Sequence, residues 1–233
     1  MVFRKIAAIG YFLISGNKLK NLYFKKQSLI KDTSLIKDEK LINLQNITKV
    51  KLVESESYYH SHFMSKEEDT IFIDVEHFKE NEKEGMASIY HELGHVVNKD
   101  SRNLFFYYCV RDLVFMPLLI VWSPSFLFLN LSIGSFQILE CIISLRSEKR
   151  ADLFAKEHGH AEGLISYLEG VQKHYIFIRE KGINLLKNIK NISTFSQTDF
   201  IIILLSLFIT RNGNFMLDFY HPRLTERIKY LKN

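Results

Sequence analysis

Hydrophobic positions change their period several times along this chain. Ile6 to Ser15 is a ten-residue apolar run behind Arg4 and Lys5. A bilayer crossing takes ~20 residues, so the run is too short to span. It resembles a secretory leader, but no small-x-small cleavage site follows. Lys18, Lys20, Lys25 and Lys26 come soon after it and oppose translocation. The expectation is a helix packed on the body or lying at a membrane surface. Residues 28–38 repeat Ser-Leu-Ile-Lys-Asp with an offset of six, which fits no solenoid period.

From Lys49 to Phe78 the pattern turns β-like. Val50–Val53, Tyr58–Phe63 and Thr70–Val75 predict three short strands, the last two joined by a polar turn over Ser65–Asp69. Antiparallel hairpins are the expected pairing. Residues 82–99 then follow a helical period through Met86, Ile89, Tyr90, Leu93, Val96 and Val97. Glu82 and Glu84 sit near the start, where the helix dipole favours anions. Ala161–Arg179, Asp199–Thr210 and Pro222–Leu231 also read as helices, with Pro222 suited to a first helical position. Phe200–Thr210 is apolar but too short to span, so a buried helix is expected there.

Residues 103–145 stand apart. Arg111, Asp112 and Glu140 are their only charges, and Leu113 to Leu139 holds no Asp, Glu, Lys, Arg or His. Pro117 and Ser123-Pro124-Ser125 interrupt the segment, and Pro124 suits the tip of a helical hairpin. Both flanks are basic, with Lys99 and Arg102 before and Arg146, Lys149 and Arg150 after. That bias places both flanks on the cytoplasmic side of a membrane that the hairpin dips into or crosses. The competing expectation is a hairpin in water that caps the active site.

Composition narrows the class. The chain has 233 residues, 47% hydrophobic and 24% charged, which suits a folded domain plus an appendage. The division expected is a helical or membrane-surface segment over 1–48 and a main domain over 49–233. Two cysteines exclude a disulfide framework and a multi-cysteine zinc ribbon. A mean hydropathy of −0.04 excludes a fully polytopic membrane protein but leaves room for one hairpin. The net charge of +5 suits an anionic membrane face. No basic–aromatic stripe accompanies it, so no nucleic-acid partner is expected.

The chemistry concentrates in three short pieces. In His91-Glu92-Leu93-Gly94-His95 the histidines fall at i and i+4 of a helix, so both imidazoles can reach one metal. Glu92 lies beside them, where a carboxylate can take a proton from water activated by that metal. A catalytic zinc site needs a third protein ligand. Glu148 is the candidate, and Asp152, one helical turn on, can orient a ligand histidine. His95 and Glu148 must then meet, so the apolar segment between them leaves and returns to one side. The third piece is His221-Pro222-Arg223-Leu224-Thr225-Glu226-Arg227-Ile228, whose His221 can stabilise an oxyanion.

Taken together and in this order, these pieces resemble the HtpX-like zinc metallopeptidases, the gluzincin-type group that includes HtpX and the CAAX prenyl endoproteases. The stretch Ala161–Leu168 resembles the helix that follows the third ligand there, and the resemblance covers roughly residues 49–232. It implies a mainly α (α+β), zincin-like helical domain with a small antiparallel sheet, and one Zn²⁺ held by His91, His95 and Glu148. It implies Glu92 as general base, Asp152 as the carboxylate behind a ligand, His221 at the transition state and Arg227 holding that segment in place. It also implies that the strand Thr70, Ile71, Phe72, Ile73 pairs as an edge with an extended protein or peptide substrate. The implied role is endoproteolysis at a membrane, in protein quality control, with lipid met through 103–145. Two other readings stand beside it: a cytosolic regulator-type protease with the same His-Glu-x-x-His, and an idle, zinc-stabilised membrane adaptor. An intact Glu92 argues against the adaptor, because a structural zinc site has no use for a base.

Overall fold

The computed structural model describes residues 39–48, 51–54, 61–64, 69–73, 75–121, 126–187 and 196–233. The Ile6–Ser15 run, the 28–38 repeat and the Pro124 tip lie outside them. The described chain is mainly helical. Its elements are α1 (Glu39–Thr48), β1 (Lys51–Glu54), β2 (Ser61–Met64), β3 (Asp69–Ile73), α2 (Val75–Glu80) and α3 (Glu82–Val97), followed by α4 (Asp100–Val121), α5 (Phe126–Glu157), α6 (Ala161–Lys187), α7 (Gln197–Leu207) and α8 (Leu224–Lys232).

The sheet has the order β1-β3-β2. β2 and β3 pair antiparallel, Ser61 opposite Phe72 and Met64 opposite Asp69. β1 pairs with β3 in parallel, Lys51 opposite Thr70 and Glu54 opposite Ile73, so the sheet is mixed rather than antiparallel. Alternation of apolar residues sets which face is buried and carries no information on strand direction. The same order corrects the expected edge. Thr70–Ile73 is the central strand, its backbone engaged on both sides, so it has no free edge to offer an extended peptide.

Ile71 and Ile73 point into a core shared with Leu41, Leu44, Phe78, Ile89 and Leu93. Leu41 and Leu44 belong to α1, so this helix is part of the body and the expected boundary at 48/49 falls inside the domain. A second core of Ala87, Ala155, Leu164, Leu168, Ile228 and Leu231 joins α3, α5, α6 and α8. α3 therefore lies between the two cores, fixed on both sides.

Local chemistry sets the ends of α3. The Asn81 side chain accepts the Glu84 N–H at 3.4 Å, capping the first turn. At the other end Lys99 takes a left-handed φ of 55°, a conformation uncommon outside glycine. That single residue turns the chain into α4 and brings Asp100 back beneath His95. In the middle, Gly94 lets α5 approach: a Cβ there would stand 2.7 Å from Ala151 Cα, against backbone that has no freedom to give.

α4 and α5 form the expected hairpin, although α4 runs through Pro117 rather than breaking there. Tyr107 OH donates to Phe136 O and Tyr108 OH to Glu140 Oε1, each at 2.6 Å. Arg111 sits over the Tyr108 ring at 4.7 Å and pairs with Asp112 at 2.8 Å. Arg111 and Glu140 are buried while Phe106, Leu113 and Ile138 are 69%, 77% and 63% exposed. Polar groups thus face the inside of the hairpin and apolar ones the outside. Among the described residues no helix is long and apolar enough to cross a membrane. α7 packs on α6, where Gly182 makes room for Ser206, and its Phe200, Ile201 and Leu207 are exposed rather than buried.

Gly94→Ala is expected to push α3 and α5 apart, destabilise the protein by about 1–3 kcal/mol and lose zinc. Thermal unfolding together with zinc stoichiometry checks this. An unchanged melting temperature with full zinc content would contradict the close approach.

Candidate metal centre

Two helices supply the centre, each through residues one turn apart: His91 and His95 from α3, Glu148 and Asp152 from α5. His91 Nε2 and His95 Nε2 stand 3.2 Å apart. Glu148 Oε1 is 3.4 Å from His95 Nε2, and Glu148 Oε2 is 3.5 Å from His91 Nε2. Bonds of about 2.1 Å at tetrahedral angles put ligand atoms about 3.4 Å from one another. Each histidine thus meets one oxygen of the Glu148 carboxylate at that spacing, and one donor atom from each of the three residues lies within 4.8 Å of the others, close enough to share one ion. Two imidazoles and one carboxylate are also a donor set that zinc favours.

Behind each histidine stands a carboxylate. His91 Nδ1 is 2.8 Å from Asp152 Oδ1, close but out of line for a full hydrogen bond. His95 Nδ1 donates to Asp100 Oδ2 at 3.0 Å, with Ser147 Oγ at 3.3 Å. Both rings are thereby held with Nε2 toward Glu148, the arrangement that makes an imidazole a fixed ligand. Asp152 is fully buried and gripped by Arg227 through Nε at 2.8 Å and Nη2 at 2.6 Å, and by the Tyr230 hydroxyl. Arg227 thus fastens α8, and with it the segment carrying His221, to α5. On the open side His221 Nε2 lies 3.8 Å from Glu148 Oε1, with its side chain half exposed. Asp218 holds the opposite ring nitrogen at 2.9 Å. Pro222 precedes α8 by two residues, so it shapes the approach to the helix rather than its first turn.

A sequence model of peptidase family M48 matches residues 39–233. The chain belongs to peptidase family M48. That family contains HtpX and the CAAX-type zinc metallopeptidases, and its metallopeptidases depend on zinc. No curated protein and no solved structure matches the chain.

In this M48 protein the charges of the centre are strongly coupled. Burial alone would lower the pKa of His91, but Asp152 and Glu148 carry it up to about 9. His95 is raised to about 10, burial being outweighed by Asp100 and Glu148 with help from the charge of Glu92. Burial works to raise Glu148, yet the two histidines hold it far below the carboxylate range. Asp152, also opposed by burial, is held at about 2 by His91 and Arg227. Asp218 is the first cause that raises His221.

The structure brings His91, His95, Glu148, Asp152, His221 and Arg227 into one network, and Glu92 follows His91 on the same helix. Thr70, Ile71, Phe72 and Ile73 do not join it. β2 is the outer strand beside them, and it packs against α3. Sequence reasoning missed Asp100, Ser147, Arg150, Tyr230 and Asp218. Arg150 Nη2 donates to Asp100 Oδ1 at 2.5 Å, so the basic run around Glu148 serves the centre from both sides. The signal for Asp100 was its place five residues after His95, useful only once the left-handed Lys99 is known.

The raised pKa values of His91 and His95 favour an added proton on this pair at pH 7, while the 3.2 Å approach of their Nε2 atoms opposes protonating both. Zinc uptake would displace that proton. Calorimetry in buffers of different ionisation enthalpy is expected to show release of at least about one proton per zinc. Release near zero would contradict the coupling of these histidines to Glu148, Asp152 and Asp100.

Proposed function

We propose that this M48 protein is a zinc-dependent endopeptidase, with His91, His95 and Glu148 as the metal ligands and Glu92 as the general base. The observation that carries the reading is the convergence of His91 and His95 Nε2, 3.2 Å apart, on the two oxygens of the Glu148 carboxylate at 3.4 and 3.5 Å. Bound there, zinc would act as a Lewis acid that polarises a carbonyl and acidifies water. Glu92, next to His91 on α3, takes the proton of the attacking water and passes it to the leaving amine. His221, held by Asp218 and raised in pKa, donates from Nε2 to the oxyanion as the tetrahedral centre forms. Asp152 and Asp100 keep the ligand rings in place throughout. Of the two outer strands, β2 packs against α3, which favours its outer edge to receive an extended substrate by strand addition.

The hairpin supports a membrane setting for this activity. Packing Arg111 and Glu140 inward and Phe106, Leu113 and Ile138 outward is costly in water and favourable against lipid. The basic residues flanking both helices support a cytoplasmic side for the zinc centre under the positive-inside rule. Cutting misfolded or membrane-embedded proteins is the role that fits such a placement.

One preparation tests both parts. Full-length protein mixed with phosphatidylethanolamine–phosphatidylglycerol liposomes is expected to float with them and to cleave casein with zinc present. Glu92→Gln is expected to float equally and keep its zinc, but to lose activity by about 10²–10⁴-fold. Protein left at the bottom of the gradient would contradict the membrane setting. Activity of Glu92→Gln within tenfold of wild type would contradict the mechanism.

A further inference from the structure

A cavity of about 810 Å³ borders the metal centre through His221 and Arg227, which line both. Its inner end is formed by His221 and Arg227, and it runs between α6 and the segment leading into α8. The size is that of a pocket for a substrate side chain with its neighbours. Its walls include Tyr167, Tyr175 and Phe215, the last two with ring centroids 6.0 Å apart. The carboxylates that border it are already engaged: Asp218 holds His221, and Glu84 accepts the Ser166 hydroxyl at 2.6 Å.

Gly170, in the middle of α6, also lines this cavity. The other two glycines of α6 are required by packing. A Cβ on Gly163 would lie 2.3 Å from Lys83 O, and one on Gly182 would lie 2.4 Å from the Ser206 side chain. At Gly170 a Cβ would meet nothing within 4 Å, and the backbone is ordinary helix. Glycine inside a helix is unfavourable compared with any ordinary residue. Gly170 is exposed, and neither packing nor φ calls for it here; its missing side chain leaves space along this wall of the cavity.

We propose that Gly170 is a specificity-determining residue of the peptidase: it keeps the cavity open for a large apolar side chain, aromatic above all, that flanks the scissile bond. Aromatic walls favour an aromatic guest through offset and edge contacts. Arg223 and Arg227 line the cavity beside Glu84 and the Asp218–His221 pair, so a basic guest would meet positive charge there. An acidic guest is the competing occupant, because Arg223 and His174 also border the cavity and are exposed. The proposal rests on the endopeptidase reading of the adjoining centre.

The test uses a set of peptides differing at one position as Phe, Leu, Glu or Ala. Cleavage by the full-length zinc protein gives kcat/KM for each guest. Fluorescence anisotropy with Glu92→Gln gives Kd for the same labelled peptides. Wild type is expected to prefer Phe over Ala by about tenfold or more. Gly170→Leu, whose Cβ meets nothing within 4 Å and whose longer side chain would narrow the cavity along this wall, is expected to lose about tenfold on Phe peptides and less than about threefold on Ala peptides. Gly170→Ala adds one methyl group in open space, should raise the melting temperature, and should shift preference in the same direction by less. It decides the matter if the leucine variant fails to fold. Equal values for all guests, or a preference unchanged by both variants, would overturn the proposal. So would a preference for Glu, which would make this an anion pocket. Absence of cleavage by wild type would sink the endopeptidase reading, and the anisotropy series would still decide the pocket.

Discussion

Three helices meet at one buried carboxylate. Asp152, on α5, lies against His91 on α3 and is gripped by Arg227 and Tyr230 on α8. An ionised carboxylate with no exposure costs several kcal/mol unless every lone pair is answered. Here the bidentate guanidinium and the phenol answer them by hydrogen bonds, and the His91 ring adds a close electrostatic contact. Deleting one partner of such a buried pair typically costs about 3–5 kcal/mol, because the other is left uncompensated. The arrangement makes the fold and the ligand geometry one problem. The same contact that seats α8 on the body also aims His91 at Glu148 and carries His221 to the open side of the centre.

The second histidine is supported from another direction. Asp100 reaches His95 because Lys99 adopts a left-handed turn, and Arg150 holds Asp100 from α5. Between these two carboxylates the α3–α5 contact must be tight, which Gly94 permits. Any slack would open the 3.2–3.5 Å spacings on which a single metal depends. The fit of the centre thus follows from helix packing and not from loop positions, which keeps it rigid.

What was legible in the sequence is what a helix makes periodic. His91 with His95, and Glu148 with Asp152, share faces because four residues make about one turn. Helix α3 and the β2–β3 hairpin followed from apolar spacing and turn residues. The parallel pairing of β1 and the central place of Thr70–Ile73 were not legible, since alternation does not encode direction or order. Asp100 was hidden because its role depends on one unusual backbone angle. Tyr230 was hidden because it is set by how α8 docks on α5. The inside-out hairpin was half legible. Arg111 and Glu140 stand out in the sequence as rare charges in an apolar hairpin, but their inward burial came from the Tyr108 contacts that join the two helices.

The proposed chemistry turns on one zinc ion held by His91, His95 and Glu148 and by no sulfur. Zinc-edge X-ray absorption on the purified full-length protein tests it directly. The account predicts one zinc per chain, two imidazoles, and oxygen or nitrogen scatterers at about 2.0–2.2 Å. A sulfur shell at about 2.3 Å, drawn from Cys109 or Cys141, would contradict it.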